Sequence, residues 1–152
     1  MYYVTLCIQD RKEIFGEIQN GAMRLSSVGK MVNDAWVDLE RYDRRIFLDE
    51  HIVMPNHLHG IIGIDWFPHF GRPRGAAPTL SLPDLMNRFK SWTTRQYFDG
   101  VKSNNWPVMR QRLWQRNYYE HIIRNEEDLN RIREYIRANP QNWGIDPENL
   151  DS

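Results

Sequence analysis

The sequence lacks most features that would place it outside the cytoplasm. Its 152 residues contain a single cysteine, Cys7, so no internal disulfide can form, and a reducing compartment is expected. No apolar run reaches the roughly 18 residues needed to span a bilayer, and no secretory leader opens the chain. A cytoplasmic protein free of membrane is the expectation. Net charge is also missing: 20 Lys and Arg balance 20 Asp and Glu, which by itself names no partner. No internal repeat is evident. At 41% hydrophobic and 26% charged, the chain has the composition of a soluble domain with one core, and residues 1–152 are read as a single domain.

Local signals give an element order. Tyr2 to Gln9 is rich in β-formers and reads as a first strand. Asn20-Gly21 between short alternating segments predicts a hairpin within Ile14 to Leu25. Ser26 or Ser27 then caps a helix whose apolar residues, from Val28 to Leu39, fall at helical spacing. Arg45 to Val53 reads as a strand with Ile46, Leu48 and Glu50 on one face, and His57 to Asp65 as the next. Trp66 to Thr79 reads as a loop whose Arg72 and Arg74 can reach a polyanion. Ser81-Leu82-Pro83-Asp84 has the form of a capping box ahead of a helix, with Gly100 to Pro107 expected as a loop. Leu113 to Ile123 is expected as a fourth core strand, and Asn125 as the cap of a last helix that Asn139-Pro140 ends. The order is that of an α+β protein: a ferredoxin-like, split β-α-β-β-α-β antiparallel sheet with an added C-terminal helix. A fold of this kind names no function.

The chemistry concentrates in two places. In His57-Leu58-His59 the two imidazoles share one face of a strand, with roughly 6–7 Å between their Cα atoms, and can hold one metal ion. On the last helix, Tyr135 and Asn139 lie one turn apart and project from one face. A phenol is about one part in a thousand ionised at neutral pH, so it attacks only a target made electrophilic or after losing its proton. A divalent ion on His57 and His59 would polarise a phosphate oxygen, with the Asn139 amide oxygen as third ligand; this donor set suits Mg²⁺ or Mn²⁺ and admits Zn²⁺.

Charge is unevenly spread along the neutral chain. Between Arg88 and Arg124 the basic residues include Arg88, Lys90, Arg95, Arg110, Arg112 and Arg116, against only Asp99 and Glu120, with tryptophans and tyrosines interleaved. Cations with stackable rings suit single-stranded or hairpin DNA. The alternative is a solvated basic face over an aromatic core. His121, beside Glu120, is a candidate accessory acid–base pair or a purely structural one.

The residues resemble a known family. His57-Leu58-His59 with a downstream helical Tyr135 is similar to the histidine–hydrophobe–histidine motif of single-tyrosine transposases, above all the REP-associated tyrosine transposases. Further stretches carry the resemblance: Tyr3 to Cys7, Asp49 to His57, Phe89-Lys90-Ser91, Trp114 to Arg124, and Tyr135 to Pro140. The resemblance implies Tyr135 as nucleophile, with His57, His59 and Asn139 as metal ligands; glutamine stands more usually in the last position. It implies a DNA strand transferase that cuts and rejoins single-stranded or hairpin DNA through a 5′-phosphotyrosine. A domesticated hairpin binder without catalysis is the alternative, and a metal-dependent phosphodiesterase using water would leave Tyr135 without a task. A homodimer, and Tyr135 serving its own histidines or a partner's, are left open.

Overall fold

The computed structural model describes residues 1–64, 80–109 and 112–150. The expected loop from Trp66 to Thr79, with Arg72 and Arg74, lies outside the described residues, as does Arg110.

The elements are β1 (Tyr2–Cys7), β2 (Gly16–Gln19), β3 (Ala22–Leu25), α1 (Ser27–Val37), α2 (Leu39–Tyr42), β4 (Ile46–Val53), β5 (His57–Ile64), α3 (Leu82–Ser103), β6 (Tyr119–Ile122) and α4 (Glu126–Ala138), with 3₁₀ turns at Gln9–Arg11 and Trp143–Ile145. Four strands form one antiparallel sheet in the order β4-β5-β1-β6. β2 and β3 form a separate hairpin whose turn residues, Asn20 and Gly21, both have positive φ, as a tight two-residue turn requires. The capping signals are real hydrogen bonds: Ser26, Ser81 and Asn125 accept from the backbone N–H of Gly29, Asp84 and Asp128.

Alternation in the central strands splits the molecule into two layers. Val4, Leu6, Leu58 and Ile62 face α1 and α3, where they pack with Val32, Trp36, Leu85, Met86 and Phe89. Tyr3 and Ile61 face the other way, onto Ile132 and Ile136 of α4. Gly60 lies on the α1 face because Trp36 fills the space beside it: a Cβ there would stand 2.3 Å from the indole ring. Gly60→Ala should therefore lower stability by about 1–3 kcal/mol, the usual range for overpacking, read as a shifted denaturant midpoint.

Three expectations are corrected. Between Leu48 and His51 the β4–β5 register shifts, leaving Asp49 and Glu50 together opposite Ile61, a β-bulge. Glu50 therefore does not continue the Ile46–Leu48 face. Both acids meet α4 instead: Asp49 accepts two hydrogen bonds from Arg133, at 2.8 and 2.6 Å, and Glu50 pairs with Arg137. Second, α3 runs through Gly100 to Ser103, since Gly100 makes room for the Trp106 ring. Third, the Leu113–Ile123 segment is not one core strand. Leu113 and Trp114 are buried and make one isolated bridge, Trp114 to Ile8, whereas the strand proper, Tyr119–Ile122, pairs with β1 as a mostly exposed edge.

The Arg133 hydrogen bonds hold the Asp49 carboxyl below the usual carboxylate range. A depressed native pKa gives stability that is present above the unfolded value, about 4, and lost as pH falls through the native one. Acidification below about pH 4 should thus loosen α4 ahead of the sheet, seen as earlier amide exchange in α4; Asp49→Asn should remove that acid dependence.

Candidate active site

β5 turns His57 and His59 to the α4 face, where both are buried. Their Nε2 atoms stand 2.9 Å apart. The outer ring nitrogens are engaged. Asn56 donates its amide N–H groups to the carbonyls of Arg11 and Glu148, so its oxygen is left to accept, and His57 Nδ1, 2.9 Å away, carries the proton. The His57 lone pair therefore lies on Nε2, aimed at His59. His59 Nδ1 lies 2.8 Å from the Tyr3 hydroxyl and 2.9 Å from that of Thr5, both on β1 and both able to accept its proton. Burial keeps the rings neutral: desolvation takes His57 down to about 4 against the opposing charge of Asp146, and takes His59 well below its ordinary value with help from His57.

A third donor comes from the segment after α4. A carboxylate oxygen of Asp146 and one nitrogen of each histidine all lie within 4.8 Å of one another. Asp146 is buried and held on both oxygens, by the Glu148 backbone N–H at 2.7 Å and by Asn139 Nδ2 at 3.0 Å. That bond fixes the Asn139 amide, and its Oδ1 is buried with no hydrogen-bond partner among the described residues. Two neutral imidazoles, a carboxylate and an orphaned amide oxygen form a donor set that fits a divalent cation. Two nitrogens each roughly 2.1 Å from one ion and at right angles would stand about 3 Å apart, close to the spacing of the Nε2 pair. Such a cation would rest on His57 and His59, with Asp146 and Asn139 as the oxygen donors.

Tyr135 stands at the mouth. Ile132 and Ile136 anchor α4, and the Tyr135 ring lies 5.4 Å from that of His59 and 6.3 Å from that of Tyr3, centroid to centroid. At 44% exposure it can meet a substrate. Desolvation and the Asp146 charge raise its pKa, opposed by hydrogen bonds with Asn139 and Tyr3, so the resting phenol is protonated. It borders a cleft of about 550 Å³ whose walls include Thr5, Tyr119, His121, Arg131, Asp146 and Glu148. Cys7 is no rival nucleophile: burial and Glu148 push its thiol up to about 12.

The other sequence candidates scatter. His121 lines the cleft and binds Asp128 at 2.7 Å, whereas Glu120, next along β6, faces Tyr118 on the opposite side. Arg88 sits in α3, across the sheet from the histidines, over the Tyr42 ring. Lys90 donates to the carbonyls of Gln115, Arg116 and Asn117, bracing the chain before β6. Arg95 and Arg116 are exposed and Arg112 is half-buried. Sequence reasoning missed Asp146, which no periodicity marks, and the Tyr3–Thr5 pair, which β1 alternation places beside His59.

Comparison with known proteins bears on the family and the fold. The family described as "Transposase IS200 like" matches residues 1–139. An uncharacterized protein of Haemophilus influenzae is 34% identical over 160 residues, covering 99% of this chain and 85% of its own length. Among solved structures, a REP-associated tyrosine transposase bound to a REP hairpin superposes with a TM-score of 0.60 at 18% identity, over 94% of this chain and 67% of that one. A candidate transposase from Deinococcus radiodurans gives 0.54 at 19% identity, over 90% and 87%. At such identities the two structures bear on the fold alone, and the match over residues 1–139 decides membership: the chain belongs to the IS200-like transposase family.

Proposed function

We propose that this protein is a DNA strand transferase that cleaves and rejoins single-stranded or hairpin DNA, with Tyr135 as nucleophile. The observation that carries the reading is Tyr135 beside the buried His57–His59 pair, on the lip of an open cleft. The REP hairpin bound by a structural relative supports DNA as the partner.

In this reading His57, His59 and Asp146 hold a divalent ion, Mg²⁺ or Mn²⁺, with Asn139 orienting Asp146 or adding its own oxygen. The chemistry such an ion supplies is polarisation of a non-bridging oxygen of the scissile phosphate. Asn56 keeps His57 in the tautomer whose lone pair faces inward, and the hydroxyls of Tyr3 and Thr5 do the same for His59. Tyr135 Oη bonds to phosphorus and gives up its proton as the bond to the 3′ oxygen breaks. The departing oxygen takes up a proton to become a 3′-OH, leaving a 5′-phosphotyrosine. Attack by a 3′-OH on that linkage restores a phosphodiester and the phenol. One phosphate ester is exchanged for another, so no nucleotide cofactor is needed.

Incubation with a library of single-stranded hairpins and Mn²⁺, followed by denaturing electrophoresis, tests the reading. A denaturation-stable protein–DNA band and a free 3′-OH fragment are expected. Tight hairpin binding with no cut strand would establish the non-catalytic binder instead, and cut DNA without an adduct would mean that water is the nucleophile.

A further inference from the structure

The cleft has two electrically different ends, with Tyr135 between them. Asp146 and Glu148 stand at one end, Asp146 beside the histidines and Glu148 paired with Arg11 at 3.2 Å. At the other are His121 and Arg131, both tethered by one carboxylate: Asp128 takes His121 Nε2 at 2.7 Å and Arg131 at 2.5 Å. Arg131 precedes Tyr135 by four residues, one turn of α4, so the two share a helix face. Its side chain is 73% exposed, and one bond to Asp128 leaves other guanidinium donors turned to the cleft. On the same wall, β6 register places Tyr119 opposite Thr5 and His121 opposite Tyr3, so both β6 side chains share the histidine face. The Tyr119 ring is 59% exposed and 6.1 Å from Tyr3. A guanidinium, an imidazole and an open aromatic ring around a nucleophile match one nucleotide: the guanidinium suits a phosphate and the ring suits a base.

We infer that Tyr119, His121 and Arg131 form a nucleotide subsite of the cleft, holding the base and phosphate next to the bond that Tyr135 attacks. The inference rests on reading the cleft as a DNA site. It places the strand along the β6–α4 edge, away from Arg88 on the far layer and from Lys90, which is occupied with loop carbonyls. Asp128 acts as a positioning residue that aims both side chains.

The test uses the full chain carrying Tyr135→Phe, so that binding is read without cleavage, and a fluorescent ten-nucleotide oligothymidylate. Arg131→Ala should weaken binding about tenfold and lower the slope of log affinity against log salt by about one, as loss of one phosphate contact does. Tyr119→Ala should weaken binding by roughly 5- to 100-fold, whereas Tyr119→Phe, which keeps the ring, should not. Thermal unfolding of each variant separates lost contact from lost fold. Photocrosslinking of an oligonucleotide bearing 5-iodouracil should label the Tyr119 peptide. Unchanged affinity and slope in folded Arg131→Ala, or crosslinks confined to Tyr42 or to the exposed Trp92 of α3, both beside Arg88, would overturn the subsite while leaving the DNA reading intact. Failure of the parent chain to bind the oligonucleotide at all would overturn both.

Discussion

Tyr135→Phe is expected to fold, to bind hairpin DNA, and to form no covalent adduct. The substitution removes one hydroxyl from a ring that is nearly half exposed, so its packing over Tyr3 and His59 survives. What it removes is the only atom of the residue able to form the phosphate ester, and strand cleavage should fall by a factor on the order of 10⁴ or more. Tyr119 is the rival, because β6 turns it to the same cleft. Tyr118 faces away toward Lys90, where burial and Glu120 push its phenol up to about 12. Geometry favours Tyr135 over Tyr119: its ring approaches His59 directly, whereas contact from Tyr119 runs through Tyr3. Digesting the trapped wild-type adduct and locating the nucleotide by mass spectrometry decides the matter. A modified peptide carrying Tyr119 would reverse the roles of the two residues.

The central part of this arrangement was legible because it is written in short-range periodicity. Alternation around Leu58 sends two histidines to one face whatever the rest of the chain does, and helical spacing ties Tyr135 to Asn139. The caps at Ser26, Ser81 and Asn125 are equally local. Features that depend on distant partners were not legible. Nothing in Leu48-Asp49-Glu50-His51 announces a bulge; it is defined by the pairing with Ile61, and it turns two acids toward the arginines of a helix more than 80 residues later. Gly100 reads as a breaker until Trp106 is seen against it. The basic stretch from Arg88 to Arg124 illustrates the same limit. A count along the chain adds α3 to the segment leading into β6, but Arg88 lies over the Tyr42 ring and Lys90 is spent on the carbonyls of Gln115, Arg116 and Asn117. Arg131, which lies in the cleft, falls outside that count.

The proposed third ligand is where a local reading and a folded one diverge most usefully. Spacing alone selects Asn139, one turn beyond Tyr135; folding brings in Asp146, whose charge makes it the stronger partner for a divalent ion. The two are linked, since Asn139 Nδ2 grips Asp146 at 3.0 Å while its own oxygen is buried without a partner among the described residues. Titrating Mn²⁺ into the DNA-free protein by calorimetry separates their roles without any appeal to activity. His57→Ala and His59→Ala should each reduce affinity beyond measurement and abolish cleavage, as should excess chelator in the wild type. Asp146→Ala should cost at least about 100-fold if the carboxylate is a ligand, and Asn139→Ala about 10-fold if the amide only orients it, the usual scale for a residue supporting a metal ligand. Circular dichroism of each variant guards against simple unfolding, since His57, His59, Asn139 and Asp146 are all buried. If Asn139→Ala loses the metal while Asp146→Ala keeps it, the assignments exchange: the amide oxygen is the ligand and the carboxylate its support. Cleavage undiminished in excess chelator would remove the ion from the mechanism altogether and leave the two histidines as neutral hydrogen-bonding groups beside Tyr135.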